Sequence, residues 1–178
     1  MMRKKPMLAY PVNGKPVNYE DKTFIQPKLD GVRCVIQYDN SEVKAYSRTG
    51  KPWLNIEHIL FNLKPWFALN PHVILDGELY NHDLKDDFNK IISLVRKTKP
   101  TDQDRLDASD LTQFHCYDII DETMTFEERN TFIKQAVPRN HCVKHVDTLT
   151  VWNEDEAQSI HRSNLKKGYE GSILRTND

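Results

Sequence analysis

Cysteine is scarce and unpaired: Cys34, Cys116 and Cys142 are odd in number, and none stands in a Cys-x-x-Cys spacing. That excludes a disulfide framework and a cysteine zinc site, and the three read as buried or free thiols of a reducing compartment. No run approaches the roughly 20 apolar residues of a membrane span. The basic start, Met1 to Pro6, leads into no apolar stretch of the length a signal peptide needs. Charge of one sign is missing too. Lys+Arg 25 against Asp+Glu 26 leaves a net charge of -1, so net charge gives no sign of a nucleic-acid partner, although a local basic patch remains compatible with it. Neither a Gly-rich P-loop nor a Gly-x-Gly-x-x-Gly motif is present, which removes those routes to phosphate binding. Internal repeats and low-complexity tracts are absent as well. The expectation is a soluble, cytoplasmic chain with no membrane partner. By length it is about one domain, and 38% hydrophobic residues suffice for a core.

What is present begins with turn formers. Residues 1–22 hold Pro6, Pro11, Gly14, Pro16 and Asn18 and read as a lead-in segment over the surface, with the domain proper at 23–178. Thr23-Phe24-Ile25 and Cys34-Val35-Ile36 flank Asp30-Gly31, which predicts a strand, a hairpin turn and a returning strand to about Tyr38. Glu42 to Tyr46 alternates as a half-buried strand and ends in the loop Ser47–Pro52. Asn55 is placed to cap a helix running to Trp66. Val73-Ile74-Leu75 is a buried strand that delivers a second Asp-Gly, followed by Glu78. Leu84, Phe88, Ile91, Ile92 and Val95 form a helical stripe. Lys97 to Asp110, polar and aperiodic, reads as a surface loop. Gln113 to Ile120 is a buried strand by its aromatic and β-branched content. Thr125 with Glu128, and Asn153 with Glu156, predict capping boxes for two helices, the second stopped by Gly168. Cys142 to Val146 reads as a strand. Links this short argue for an α+β fold of antiparallel sheets rather than a doubly wound sheet.

Chemistry collects at the strand ends. Lys28 is a possible nucleophile, Arg33, Arg48 and Arg175 are cations, and Glu78 and Glu170 are carboxylates. That set suits covalent attack on a phosphate: arginines grip phosphates, carboxylates hold a hard metal ion, and the lysine attacks. At pH 7 only about one lysine in 2,500 is the neutral amine. Lowering its pKa by about three units restores a useful fraction and costs ~4 kcal/mol, which burial beside several cations would supply. On the residues alone Tyr117 reads as a core aromatic and Glu170 as a post-helix turn residue. The seven histidines lack ligand spacing.

Lys28-Leu29-Asp30-Gly31-Val32-Arg33 resembles the nucleophile motif of the covalent nucleotidyltransferases, which include ATP-dependent DNA ligases, RNA ligases and mRNA capping enzymes. Ser47-Arg48-Thr49-Gly50, Asp76-Gly77-Glu78-Leu79, Tyr117-Asp118-Ile119 and Glu170-Gly171-Ser172-Ile173-Leu174-Arg175 resemble four further motifs of that family, in its order. Pro6-Met7-Leu8-Ala9 and Phe88 to Arg96 look most like phage-type or bacterial DNA ligases. The resemblance implies the adenylation-domain fold, antiparallel sheets flanked by helices. It implies that Lys28 takes AMP from ATP as a lysyl-AMP phosphoramidate, passes it to the 5′-phosphate of nicked duplex DNA, and that a 3′-hydroxyl then seals the strand. Arg33 and Arg48 would hold phosphate and ribose, Tyr117 would stack on adenine, and Gln26 would sit beside the base. Glu78 and Glu170 would place Mg²⁺, Glu78 also contacting ribose, and Arg175 matches the arginine of the last motif. The family's Lys-x-Lys strand and oligonucleotide-binding domain are missing before Asp178. The expectation is therefore a C-terminally incomplete domain, monomeric, that seals DNA only when the remainder is supplied in cis or trans. A relic that binds nucleotide or nicked ends without catalysis is the competing reading, and within the enzymes RNA ligase and capping enzyme are the rivals.

Overall fold

In the computed structural model, which describes residues 17–178, two sheets share the strands unequally. The elements are β1 (Thr23–Lys28), β2 (Val32–Asp39), β3 (Glu42–Tyr46), α1 (Glu57–Leu69), β4 (Ile74–Tyr80), α2 (Phe88–Val95), α3 (Asp102–Leu111), β5 (Gln113–Ile119), α4 (Phe126–Ala136), β6 (Val143–His145), β7 (Leu149–Val151), α5 (Glu154–Lys166) and β8 (Gly171–Thr176). The larger sheet has the order β3-β2-β4-β5-β6 and the smaller one β7-β1-β8. Pairings are antiparallel, with β5–β6 the parallel exception. The expected α+β class, antiparallel sheets flanked by helices, is what is found. Pro6, Pro11, Gly14 and Pro16 of the expected lead-in lie outside the described residues.

The larger sheet carries the main core. Phe67 of α1, Phe114 of β5 and Phe126 opening α4 are fully buried, each contributing about 1.5–3 kcal/mol relative to exposure. The smaller sheet has far less: Ile25, Val151 and Ala157 form its buried cluster.

Several sequence expectations are corrected. The Asp30-Gly31 connection is no hairpin, because β1 and β2 lie in different sheets. Leu29 turns into a small apolar cluster with Tyr80 and Val146 between the sheets. The backbone at Gly31 then runs so close to β4 that a Cβ there would stand 2.2 Å from the Leu79 carbonyl oxygen. With the chain held against β4, β2 pairs with β4 and not with β1. The second Asp-Gly, Asp76-Gly77, likewise makes no turn and lies inside β4.

Asn55 does not cap α1; it is buried and donates to the carbonyls of Leu94 and Asp104, pinning α2 and α3. The helix runs on through Pro65 to Leu69. Leu84 falls in a separate single turn of 3-10 helix, His82–Leu84. The expected loop at 97–110 contains α3. Its polar composition hid a full capping box, in which Thr101 and Asp104 each accept from the other's backbone N–H. Thr125 and Asn153 do accept from the N–H of Glu128 and Glu156. The reciprocal half is absent: Glu128 accepts from the Thr125 hydroxyl, and Glu156 from the Trp152 N–H. Gly168 ends α5 at φ 92° as expected, with the Tyr169 N–H returning to the Asn164 carbonyl. The short strand β7 was not read from the sequence.

Candidate active site

Strand alternation sends Phe24, Gln26 and Lys28 of β1 toward the larger sheet. Phe24 meets Phe126 edge-on, centroids 5.1 Å apart. Gln26 is 2% exposed and donates to the Tyr117 carbonyl and the Thr148 hydroxyl. Lys28, the last residue of β1, passes beyond the reach of β7, which pairs only with Thr23 to Ile25. Its side chain is therefore half exposed, and its ammonium lies 3.6 Å from the Glu170 carboxylate. The sequence led us to expect a buried lysine beside cations; an open strand end and a facing carboxylate stand there instead. The Glu170 backbone N–H also donates to the Lys28 carbonyl, which fixes the two residues side by side.

On the larger sheet Arg33 of β2 and Glu78 of β4 are directly opposed. Arg33 reaches two pairs along, past Gly77, and grips Asp76 through Nε and Nη2 at 2.8 and 2.6 Å. Glu78 accepts from the Gly31 N–H at 3.2 Å and from the Tyr117 hydroxyl at 3.5 Å. Burial pushes its carboxyl up to about 7, with the Gly31 N–H and Arg33 opposing that rise.

Between β4 and β5 the register jumps: Gly77 pairs with Cys116 but Asp76 with Asp118. Tyr117 is the residue passed over. This bulge lets two consecutive residues, Tyr117 and Asp118, address the same side. The Tyr117 ring has the guanidinium carbons of Arg33 and Arg175 each 5.3 Å from its centroid. Asp118, opposite Asp76, would be a repulsive buried pair without its cations. Arg129 of α4 donates to it at 2.8 Å and Arg175 of β8 at 3.0 Å. Arg175 also donates to the Gln26 side-chain oxygen at 2.7 Å, so one chain of polar contacts runs from β1 through β8 to β5 and α4.

The structure thus joins Gln26, Arg33, Glu78, Tyr117 and Arg175 in one continuous patch, with Lys28 and Glu170 as a pair at the end of β1. Arg48 stands apart on the exposed loop after β3, which Ser47 closes by accepting from the Lys51 N–H through its hydroxyl. Sequence reading passed over the anchors Asp76 and Asp118, although both sat inside quoted motifs. It also passed over His82 and Tyr169, which hold the turn before Glu170. Among the described residues no cluster of three or more His, Cys, Asp or Glu side chains is arranged to hold a metal ion. Mg²⁺ asks for only one or two protein carboxylates and completes its shell with water and substrate phosphates.

Residues 6–178 match the sequence profile of the ATP dependent DNA ligase domain. The chain belongs to that family. A DNA ligase of African swine fever virus is 30% identical over 186 residues, covering 96% of this chain and 41% of the viral protein. The chain spans about two fifths of the length of that curated relative. Among solved structures, the ATP-dependent DNA ligase from bacteriophage T7 in complex with ATP superposes with a TM-score of 0.68 at 18% identity, covering 88% of this chain and 57% of that one. The Chlorella virus DNA ligase-adenylate gives 0.59 at 21% identity, covering 98% and 60%. These likenesses establish the adenylation-domain fold. No helix among the described residues is long and apolar enough to cross a membrane.

Proposed function

We propose that this chain is the adenylating part of a DNA-sealing enzyme and that Lys28 is its nucleophile. The Lys28 amine forms a bond to the α-phosphorus of ATP as the bond to pyrophosphate breaks, leaving lysyl-AMP. The AMP then passes to the 5′-phosphate of nicked duplex DNA, and the 3′-hydroxyl displaces it. The observation that carries this reading is the placement of Lys28 at the open end of β1, 3.6 Å from Glu170, on the side that carries Glu78 and Tyr117.

Arg33 and Arg48 bind phosphate and ribose oxygens, and Tyr117 offers its ring to adenine beside Gln26. Glu78 and Glu170 would hold Mg²⁺, which offsets phosphate charge when bound. Arg175 acts one step back, holding Gln26 in place through its 2.7 Å contact. The chain spans about two fifths of the length of the curated viral relative, so the test also supplies a C-terminal portion.

The test is incubation with α-³²P-ATP and Mg²⁺ followed by a denaturing gel. It is run on wild type and Lys28→Ala, with and without a C-terminal portion supplied from a relative. A label on wild type that Lys28→Ala abolishes is expected. A folded wild type that takes no label under either condition would overturn the assignment of Lys28. Labelling from GTP in preference to ATP would overturn the choice of nucleotide.

A further inference from the structure

Both side-chain N–H groups of Gln26 are engaged inside the protein. The residue is 2% exposed, and its amide nitrogen donates to the Tyr117 carbonyl at 3.1 Å and to the Thr148 hydroxyl at 2.9 Å. Its oxygen accepts from Arg175 Nε at 2.7 Å. These surroundings leave one orientation. A carbonyl can only accept and a guanidinium nitrogen can only donate, so the amide nitrogen must face Tyr117 and the oxygen Arg175. The Thr148 hydroxyl gives its own proton to the Val146 carbonyl at 3.2 Å and keeps a lone pair for Gln26. The three partners come from different parts of the fold. Tyr117 lies in β5 of the larger sheet, Arg175 in β8 of the smaller, and Thr148, itself buried, on the crossing from β6 to β7. Tyr117 is also the residue that the β4–β5 ladder passes over. A bulge leaves its extra residue without a ladder partner, and the Gln26 amide supplies one to its carbonyl. On β1, alternation puts Lys28 on the same face as Gln26, about 7 Å further along.

We propose that Gln26, locked by Thr148, is a positioning residue: its side chain does not read the base but sets where the Tyr117 ring stands relative to Lys28. The need for that setting rests on the adenylating reading above; the brace itself rests on these contacts. A nucleotide stacked on Tyr117 carries its α-phosphate wherever the ring stands. The contact between Gln26 and the bulge therefore decides whether the phosphorus meets the amine two residues along the same strand. An error of about 1 Å at such a point costs on the order of a hundredfold in rate. Thr148, which stands in no motif of the sequence, becomes part of the alignment of the site. Selection of one base over another then falls to groups other than the Gln26 side chain.

The experiment is the rate of lysine labelling by α-³²P-ATP, with the C-terminal portion supplied as above, for wild type, Thr148→Val and Thr148→Ser. Valine keeps the shape of threonine and takes away the oxygen that Gln26 holds. Thr148→Val should lower the rate at saturating ATP by about tenfold or more. It should change the half-saturating ATP concentration less than the rate, and leave the preference for ATP over GTP as it is. Thr148→Ser restores the hydroxyl and should recover the rate. An unchanged rate in Thr148→Val would overturn the proposal, as would a loss confined to half-saturation. A shifted ATP-to-GTP ratio would overturn it in favour of Gln26 as a reader of the base. Hydrogen exchange with ATP bound is measured in parallel and needs no covalent step. Nucleotide should slow the amides of β1 and β5 together in wild type, and those of β5 alone in Thr148→Val. Equal slowing of β1 in both proteins, or none in wild type, would overturn the brace. A wild type that shows the joint slowing but takes no label defeats the function assigned to Lys28 and leaves the brace standing.

Discussion

The imidazole of His82 lies against the ring of Tyr169, with centroids 4.2 Å apart and 22° between planes. Its nitrogens complete the hold. Nε2 faces the Lys167 carbonyl at 2.8 Å, which can only accept, so Nε2 carries the proton and Nδ1 accepts from the Tyr80 hydroxyl at 2.6 Å. His82 follows β4, the strand of Glu78, and Tyr169 precedes Glu170. One imidazole thus ties the strand bearing one carboxylate to the turn bearing the other.

Replacing His82 by Ala should loosen that turn. The stacked contact and one net hydrogen bond together are worth about 1–2 kcal/mol. Hydrogen exchange should show faster exchange at the Gly168–Gly171 amides, with the centre of the larger sheet unchanged, and His82→Gln should recover part of the protection. Unchanged exchange at Glu170 in the Ala variant would remove His82 from any role in placing it.

Asp118 serves Arg129 and Arg175 at once, and all three side chains are largely out of solvent, Asp118 and Arg129 at 3% exposure each. Asp118→Ala leaves two buried guanidinium groups facing each other, which should cost about 3–5 kcal/mol. Urea unfolding measures this directly. A loss under 1 kcal/mol would mean that water or another carboxylate replaces Asp118.

A Cβ on Gly77 would sit 2.3 Å from the His115 carbonyl oxygen and 2.5 Å from the Phe114 ring. Neither is the far end of a flexible side chain, so Gly77→Ala must part β4 from β5 at the bulge. Overpacking of this kind costs about 1–3 kcal/mol. Because the bulge also aims Tyr117, the variant should bind ATP more weakly than its stability loss alone explains, as isothermal titration at a temperature well below its melting point would reveal.

Glu78 carries a pH signature. Its folded carboxyl stands at about 7 against an ordinary 4.5, so the folded state holds the proton more tightly than the unfolded one. The resulting stability is fully present below about pH 4.5 and is lost as pH rises through 7. By pH 8 the ionised group costs the fold about 3 kcal/mol. Glu78→Gln keeps an oxygen for the Gly31 N–H and cannot ionise. Its melting temperature should exceed that of wild type at pH 8 by roughly 5–10 °C, with the gap narrowing toward pH 5. Parallel melting curves across that range would show that the carboxylate is solvated.

Much of this site was written locally. Lys28, Glu78 and Glu170 each sit in a short motif at or near a strand end, and the motif alone announces the residue type the chemistry needs. What stayed hidden depends on contacts distant in sequence. Asp30-Gly31 has the composition of a hairpin turn, and only the packing of Leu29 and the close passage of Gly31 by β4 send β2 into another sheet. Tyr117 and Asp118 would face opposite ways under strict alternation, and no residue pattern marks the bulge that turns both toward the arginines. Asn55 has the identity of a helix cap, but its amide is drawn inward by carbonyls of α2 and α3 that lie 39 and 49 residues away. Helix α3 failed for a simpler reason: its face toward the core is only Ala108, too little to produce a periodic apolar signal.

The poverty of the smaller sheet has its own meaning. Lys28 and Glu170 ride on three strands whose private core is Ile25, Val151 and Ala157, fastened to the larger sheet through Gln26, Arg175 and Asp118. Such a unit opens more readily than the body it rests on. A nucleotide that touched Lys28 on one side and Tyr117 on the other would close that seam, and its binding free energy would reappear as protection of β1 and β8. Affinity for the nucleotide and cohesion of the fold are then one quantity at this joint, and a mutation far from Lys28 can weaken the first by spending the second.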